Sequence, residues 1–391
     1  MRLRTKKFLE EKFGKYYSNH QLKTPPSLSN REWGFIPLNK DFPEKTVMKR
    51  HKSFSTKQQL QSYLQSIIPV HVYFSSAYYE RPSAPIMEEK EWKAADLVFD
   101  LDADHLVGAK NLTYQEMLKK VKEETMHLLF DFLIDDFGID RDELELVFSG
   151  GRGYHIHVRE EGFLDLNSQE RREIIDYILG RGTQSLIKEK KKKGAKIPYL
   201  SSKSTNWNNR IKYYLFNNIL SEIASKEKKD AINKLTSYNG VGEKTAKRIY
   251  RSIEREETLD RIKKNGQLDI ARGLPKSFWE QLIEEAKQQI KANADEPVTS
   301  DIKRLIRLPT SLHGGTGFRV TPLSITEIEQ FNPFVNAVVF EEDSVKIYSK
   351  DNYETTLMNK KIKIEKDEIK EIPEYAAIFL SCIGKVEVEG W

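Results

Sequence analysis

The stretch Asp96-Leu-Val-Phe-Asp-Leu-Asp-Ala-Asp104 decides the fold and the chemistry expected of this chain. The apolar run 97–99 consists of residues that suit a β-strand, and a strand directs residues i and i+2 to the same face. Asp100 and Asp102 would therefore leave the end of a buried strand side by side. Two adjacent carboxylates repel each other, and a divalent cation neutralises them best because hard cations prefer carboxylate oxygen.

This carboxylate pair predicts a metal-dependent nucleotidyl transferase, since two metal ions about 3.5–4 Å apart commonly assist phosphoryl transfer. The alternative interpretation is that Asp100 and Asp102 are solvated turn residues that happen to follow a strand. The spacing alone does not separate the two interpretations, and other parts of the chain have to decide between them.

Length and composition bound the class of protein. The 391 residues suffice for two or three domains with a full core, and the net charge of +5 is a weak indication of a polyanionic partner. The single cysteine, Cys382, excludes an intramolecular disulfide and a thiolate zinc cluster, so zinc is not expected. No apolar signal core follows the basic N-terminus, and the apolar run 376–383 is too short to cross a bilayer. We expect a cytoplasmic protein without a membrane segment.

Hydrophobic patterns divide the chain into stretches of different character. Residues 67–158 alternate strand and helix patterns, including a capping box at Thr113-Tyr-Gln-Glu116 ahead of a helix, which predicts an α/β arrangement. Residues 166–289 are rich in Lys and Glu at helical spacing without candidate strands, which predicts an inserted all-helical subdomain. Mixed patterns return afterwards, so we expect a catalytic domain from residues 1–165 and 290–391.

A glycine-rich turn, Ser149-Gly-Gly-Arg-Gly-Tyr-His155, connects two predicted strands. Glycines let the backbone approach a ligand closely, and consecutive N–H groups in such a turn form an anion nest. Arg152 adds a planar fork suited to phosphate oxygens, and the Ser149 hydroxyl can donate a hydrogen bond. The alternative is a glycine-rich hairpin that carries two surface histidines, His155 and His157.

A third segment combines an acid, basic residues and a histidine. It runs from Asp295-Glu-Pro-Val-Thr-Ser-Asp301 through Lys303, Arg304 and Arg307 to His313-Gly-Gly-Thr-Gly317. We expect a carboxylate, then a short basic helix, then a histidine in a glycine-rich loop, an order that suits a metal site beside a triphosphate. The alternative is that these basic residues are only the polar side of the helix.

Together and in this order, the three segments resemble the catalytic small subunit of the archaeal and eukaryotic DNA primases. Three N-terminal stretches also look like that family: Glu32–Phe35, Arg50-His-Lys-Ser-Phe54 and Tyr79-Glu-Arg-Pro82. The resemblance implies an α+β primase catalytic core, built on mixed β-sheets with flanking helices. It also implies the site residues, namely Asp100, Asp102 and Asp295 as ligands of divalent metals and Arg50, Ser149, Arg152, His155, Arg307 and His313 as nucleotide contacts.

The resemblance further implies a nucleotidyltransferase that synthesises short RNA primers on single-stranded DNA from NTPs, with Mg²⁺ or Mn²⁺, and it leaves DNA primers open as a second product. It implies a large subunit as heterodimer partner. Two alternatives stay open: a repair or end-joining polymerase of the same superfamily, and a non-catalytic DNA-binding module.

A motif outside the family core resembles a helix-hairpin-helix, Leu235-Thr-Ser-Tyr-Asn-Gly-Val-Gly-Glu-Lys-Thr-Ala-Lys-Arg-Ile249. In such a motif Gly240 and Gly242 form a tight hairpin whose N–H groups face a DNA phosphate, and Lys244 and Lys247 add positive charge. The contact would be to the backbone and would carry no sequence specificity. The alternative is an αα-turn in which glycine serves conformation and Ala246 serves close packing.

Overall fold

The computed structural model describes residues 1–38, 42–43, 46–105, 108, 111–181, 187–192, 195–200, 206–265, 268, 270–271 and 274–391. The chain folds as two compact units. The first comprises Met1–Ile175 and Asn293–Trp391, and the second comprises Asp176–Ala292.

Strands and helices alternate over much of the chain. The strands are β1 Trp33–Pro37, β2 Lys49–Lys52, β3 Pro69–Ser75, β4 Ala77–Tyr79, β5 Trp92–Ala95, β6 Leu97–Asp102, β7 Leu144–Phe148, β8 Gly153–Val158, β9 Ile187–Lys192, β10 Ala195–Leu200, β11 Leu305–Arg307, β12 Thr321–Leu323, β13 Ser344–Ser349, β14 Tyr353–Leu357, β15 Lys360–Ile364, β16 Ile369–Pro373 and β17 Val386–Gly390. The helices are α1 Leu3–Asn19, α2 Lys57–Ile67, α3 Tyr114–His127, α4 Glu161–Leu164, α5 Ser168–Ile178, α6 Asn206–Tyr214, α7 Ser221–Ser225, α8 Lys228–Thr236, α9 Glu243–Ile253, α10 Glu256–Asn265, α11 Lys276–Ile290, α12 Glu296–Ser300, α13 Pro333–Asn336 and α14 Glu374–Cys382. The α+β class predicted from the sequence is confirmed.

The first unit is built around an antiparallel sheet in the order β12-β7-β8-β6. Strands β6 and β8 pair with Asp100 opposite His155 and Asp102 opposite Gly153. The predicted capping box is present, because Thr113 and Glu116 bond each other's main-chain N–H groups and start α3. Helix α3 packs on β6 and β8, so the apolar side of the sheet is covered and the strand that carries the aspartates is held in place.

A second sheet of the same unit has the order β11-β3-β1-β2. Its edge strand β11 corrects one expectation, because Leu305–Arg307 forms a strand where a basic helix was expected. The helix in this segment, α12, ends at Ser300. Ile306 pairs with Phe74 of β3 and is buried, and this long-range pairing overrides the local pattern of basic residues.

The C-terminal part of the first unit adds a three-stranded sheet in the order β16-β13-β17. Helix α14 contacts all three strands of this sheet and is buried over almost its whole length. Helix α1 packs against β17, where the Thr5 hydroxyl donates a 2.6 Å hydrogen bond to the Glu387 carboxylate. The two ends of the described chain therefore share one core.

The second unit is mainly helical but not all-helical, which corrects the prediction. Strands β9 and β10 form an antiparallel hairpin with Ile187 opposite Leu200, and both of these side chains are buried. The hairpin forms in a lysine-rich stretch whose local composition gave no strand pattern, because pairing depends on the partner strand rather than on local propensity. Helices α6 to α11 account for most of the other described residues of this unit.

Within the described residues, no helix is both long and apolar enough to cross a membrane.

Candidate active site

The three predicted acidic residues come together at the free edge of β6. Asp100 and Asp102 lie on β6, and Asp295 immediately precedes α12. The main-chain N–H of Asp295 donates a 3.0 Å hydrogen bond to the main-chain carbonyl of Asp100. All three residues line one cavity of about 300 Å³. The structure thus brings together side chains that are far apart in the sequence.

The electrostatics of this acidic cavity suit a cation. Burial, followed by repulsion from Asp102 and Asp295, raises the pKa of Asp100 to about 6. A carboxylate that is desolvated beside two other carboxylates gains most from a nearby positive charge, and hard oxygen ligands are those preferred by Mg²⁺ and Mn²⁺. The donor set therefore fits a divalent metal ion.

A second acidic group in the first unit is already paired with lysines. Glu341, Asp343 and Glu374 bring ligand oxygens within 4.8 Å of one another, which Asp100, Asp102 and Asp295 do not do among the residues described here. Lys12 lies 2.7 Å from Glu374 and Lys15 lies 3.0 Å from Glu341. Two of the three carboxylates are thus paired with lysines, so this second group has less need of a metal ion than the acidic cavity.

The glycine-rich turn between β7 and β8 presents the hydroxyl of Ser149. The Ser149 oxygen accepts hydrogen bonds from the N–H groups of Gly151 at 3.4 Å and Gly153 at 3.3 Å. With its acceptor positions used in this way, the hydroxyl has its proton left to donate. Gly150 has φ +77°, and an added Cβ would lie 2.7 Å from the His313 Cβ. The turn therefore requires glycine at this position.

His313 lies directly beside this turn. Its Nδ1 atom accepts a 3.2 Å hydrogen bond from the N–H of Gly315. Burial, and then the charge of Arg307, hold the pKa of His313 well below its ordinary value, so the ring is neutral. The Gly315 contact favours the tautomer of the neutral ring that carries its proton on Nε2, and Nε2 is the ring atom nearest, at 3.0 Å, to a Cβ added at Gly151. In this tautomer the Nε2–H of His313 is available as a hydrogen-bond donor beside the turn.

Two of the three predicted arginines, Arg152 and Arg307, line the same cavity of about 480 Å³ as Ser149 and His313, which we call the basic cavity. Arg307 lies on β11 with its guanidinium 5.5 Å from the Tyr73 ring, and within the described part of the chain its buried Nε has no hydrogen-bond partner. Arg152 is half-exposed and forms a 2.7 Å ion pair with Asp104. With Lys385, which also lines this cavity, three cationic side chains converge here with the Ser149 hydroxyl and the His313 ring, which suits a polyphosphate.

Two predicted nucleotide contacts, His155 and Arg50, do not line the basic cavity. His155 is buried on β8 with its Nε2 atom 3.6 Å from the Asp100 carboxylate, so it belongs to the acidic side. His157 is also buried, and the alternative of two surface histidines is wrong. Arg50 binds the buried carboxylate of Glu32 with both Nε at 3.0 Å and Nη2 at 3.3 Å. Arg50 follows the start of strand β2, and β2 lies three strand spacings, roughly 14 Å, from β11, which carries Arg307.

One residue joins the two cavities. Asp102 lines both the acidic cavity and the basic cavity. A molecule that extends from one to the other would pass this carboxylate, with acids on one side of it and arginines on the other.

Sequence patterns do not mark several residues that line the basic cavity, among them Tyr114, Thr316 and Lys385. The Tyr114 hydroxyl donates to the Gly151 carbonyl at 2.6 Å, and the Thr316 hydroxyl donates to the Gly150 carbonyl at 2.5 Å. Both residues line the cavity and hold the glycine-rich turn from outside. A signal existed for Thr316, which lies inside the His-Gly-Gly-Thr-Gly segment, whereas Tyr114 is recognisable only from the fold.

In the second unit, helices α8 and α9 are joined by a tight turn that contains Gly240 and Gly242. Gly240 has φ +82°, and an added Cβ would lie 2.9 Å from Pro275. Nothing lies within 4 Å of a Cβ added at Gly242, which precedes α9. Lys247 is paired with Glu243, while Lys244 is exposed. Ala246 is completely buried, so this small residue serves the packing of the two helices.

Comparison with known proteins identifies the family. The family model described as "DNA primase small subunit" matches residues 99–325, which include Asp100, Asp102, the glycine-rich turn and the segment from Asp295 to Gly317. A protein named DNA primase small subunit PriS from Methanococcoides burtonii is 44% identical, and the alignment covers 99% of each chain. A PriS from Methanocella arvoryzae is 40% identical, over 98% of this chain and 99% of that protein. One from Methanosarcina barkeri is 42% identical, over 98% and 97%. The geometry of the site and these matches together show that the chain belongs to the DNA primase small subunit family.

Proposed function

We propose that this chain catalyses template-directed nucleotide addition, making RNA primers, by two-metal phosphoryl transfer at Asp100, Asp102 and Asp295. The single observation that carries this proposal is the position of Asp102 between an acidic and a basic cavity. Phosphoryl transfer needs a centre that neutralises charge between an attacking hydroxyl and a leaving pyrophosphate. The acidic cavity would receive the attacking hydroxyl, and the basic cavity would receive the leaving pyrophosphate.

In this proposal each protein group has a defined task. Arg152 and Arg307 hold the triphosphate through their guanidinium groups, and the Ser149 hydroxyl and the His313 Nε2–H donate hydrogen bonds to its oxygens. Asp100, Asp102 and Asp295 would hold the metal ions, which when bound lower the pKa of an attacking hydroxyl and neutralise the leaving group. The chain itself supplies positioning and charge, and no covalent nucleophile is required.

His155 and Arg50 keep more distant roles. The neutral imidazole of His155 lies against Asp100, because burial lowers its pKa well below the ordinary value. It can thus hold the orientation of the Asp100 carboxylate without adding a charge. The phosphate contact that the family resemblance implies for His155, and the nucleotide contact implied for Arg50, stay predictions.

The test uses the full chain, single-stranded DNA and NTPs with Mg²⁺ or Mn²⁺. Asp100→Asn and Asp102→Asn should each reduce nucleotide incorporation at least about 10³-fold, because transition-state charge stabilisation is the largest contribution at such sites. Both variants should also weaken Mn²⁺ binding measured by calorimetry. Glu143→Gln, at an exposed position, serves as the matched control. Normal incorporation by either aspartate variant would contradict the proposal.

A repair polymerase of the same superfamily would use the same site. The requirement for a primer distinguishes a repair polymerase from a primase. A primase begins synthesis on a homopolymer template without any primer, whereas a repair enzyme extends an existing end. We expect primer-independent products that appear only with a divalent metal, and a strict requirement for a primer would favour the repair function.

We also propose two macromolecular contacts. The turn at Gly240 and Gly242 with Lys244 and Lys247 would bind DNA phosphates of the template, without sequence specificity. Reversal of charge at Lys244 and Lys247 should weaken DNA binding and reduce its salt dependence, and an unchanged salt slope would favour the packing interpretation. A primase large subunit would be the heterodimer partner, which copurification of the two chains would test.

A further inference from the structure

The acidic cavity contains a polar pair that the proposed chemistry leaves unused. Asn293 and Glu124 both line this cavity, together with Asp100, Asp102 and Asp295. The Asn293 side-chain amide donates a 2.9 Å hydrogen bond to a carboxylate oxygen of Glu124. Glu124 lies on α3, and Asn293 lies two residues before Asp295. The pair therefore forms one wall of the cavity that holds the three aspartates.

The lining of the cavity limits what it can bind. Its described lining has five carboxylates, those of Asp100, Asp102, Glu124, Asp295 and Glu296, and no lysine or arginine. A triphosphate would find no protein cation there, whereas the hydroxyl groups of a sugar would find acceptors. The volume of about 300 Å³ lies at the lower end of the range of about 300–1,000 Å³ for small-molecule pockets.

The in-line geometry of phosphoryl transfer indicates where the terminal ribose of the primer would bind. This step rests on the proposed function, in which the basic cavity holds the triphosphate. The attacking and leaving oxygens of a phosphoryl transfer lie roughly in line, so the attacking 3′-hydroxyl approaches from the side opposite to Arg152 and Arg307. Because Asp102 lines both cavities, that opposite side is the acidic cavity. The terminal ribose of the growing primer would then lie beside Asn293 and Glu124.

We propose that Glu124 and Asn293 bind the 2′-hydroxyl of the primer's 3′-terminal ribose and thereby favour extension of an RNA end over a DNA end. A 2′-hydroxyl is both a donor and an acceptor, and this property distinguishes RNA from DNA. The Glu124 carboxylate can accept from the hydroxyl, and the second N–H of the Asn293 amide can donate to it. A 2′-deoxyribose offers neither interaction.

Single-nucleotide extension by the full chain tests this assignment. Two primers with the same sequence, annealed to the same DNA template, differ only in whether the 3′-terminal sugar is ribose or 2′-deoxyribose. We expect the wild type to extend the ribose end with the higher kcat/KM. Glu124→Ala and Asn293→Ala should each lower kcat/KM for the ribose end about 10-fold, the effect expected for one lost hydrogen bond. The deoxyribose end should change less than twofold.

A control variant and a binding measurement accompany the kinetic test. Glu123→Ala, at the exposed neighbouring position of α3, should behave as the wild type with both primers. Anisotropy of the labelled primer duplexes in Mn²⁺ should show the same loss of preference, independently of turnover. Extension of the deoxyribose end by the wild type reports the proposed polymerase function by itself. With that activity present, equal losses on both primers or a wild type without preference would overturn the assignment, and absence of any extension would overturn the proposed function as well.

Discussion

The main-chain N–H of Asp295 is hydrogen-bonded to the main-chain carbonyl of Asp100 at 3.0 Å. In its sheet, strand β6 pairs with β8 alone, so the other edge of β6 still offers its carbonyl groups, and the segment before α12 uses one of them. The backbone therefore assembles the three acidic residues. The carboxylates are held in one cavity at the cost of mutual repulsion, and this repulsion has measurable consequences.

The raised pKa of Asp100 predicts a pH-dependent gain of stability in Asp100→Asn. The pKa rises from 3.8 in the unfolded chain to about 6 in the folded protein, so the folded state holds this proton more tightly. The resulting contribution to stability is complete below about pH 4 and is lost as the pH rises through about 6. At pH 7.5 without metal the loss amounts to roughly 2–3 kcal/mol, and Asp100→Asn should recover it.

Chemical unfolding in EDTA at pH 4 and at pH 7.5 measures this difference. The gain of Asp100→Asn over the wild type should be present at pH 7.5 and absent at pH 4. A gain of the same size at both pH values would show that burial and the neighbouring carboxylates do not raise the pKa of Asp100. Added Mn²⁺ should stabilise the wild type more than the variant.

The proton on Nε2 of His313 predicts a specific effect on nucleotide binding. His313→Ala removes a donor to the triphosphate and should raise the NTP KM about 10- to 100-fold, as expected for a hydrogen bond to a charged group. His313→Gln can place an amide N–H in a similar position and should recover part of the loss. Steady-state kinetics on a primed template measures both. Equal effects of the two variants would argue against a donor at this position.

The contact between β6 and β8 predicts that Gly153 cannot be replaced. A Cβ at Gly153 would lie 2.1 Å from the carbonyl oxygen of Leu101, and the shift needed to relieve this overlap would separate the strand that carries Asp100 and Asp102. Gly153→Ala should lower the free energy of unfolding by about 3 kcal/mol or more and abolish activity. Gly162→Ala is the matched control, because a Cβ at Gly162 meets nothing within 4 Å. Denaturant titration compares the two.

The ion pair of Arg50 and Glu32 predicts a loss of stability rather than a simple loss of binding. Glu32 is completely buried, and Lys90 lies 3.6 Å from it. Arg50→Ala removes one of these two cations and should cost about 1–2 kcal/mol, discounted because the arginine is partly exposed. Glu32→Gln in the same chain should restore part of this stability. An NTP KM that stays raised in the double variant would support the nucleotide contact that the family resemblance implies.

The sequence by itself determined the local parts of the site. Alternation along β6 placed Asp100 and Asp102 on the same side of the strand, the capping box at Thr113 started α3, and the glycines after Ser149 made the turn. These features follow from side-chain period, capping and backbone freedom, which act over a few residues. They also carried the family resemblance, which the matches to relatives confirm.

Tertiary structure alone decided which groups face each other. Arg307 lies on a strand because β3 offers it a partner, and the hairpin of β9 and β10 forms for the same reason. The placement of His155 beside Asp100 while His313 faces the basic cavity is likewise set by packing between distant segments. The pairing of Asn293 with Glu124 depends on the same edge of β6 that binds Asp295. Strand pairing and burial depend on residues far away in the chain, so no local pattern contains them.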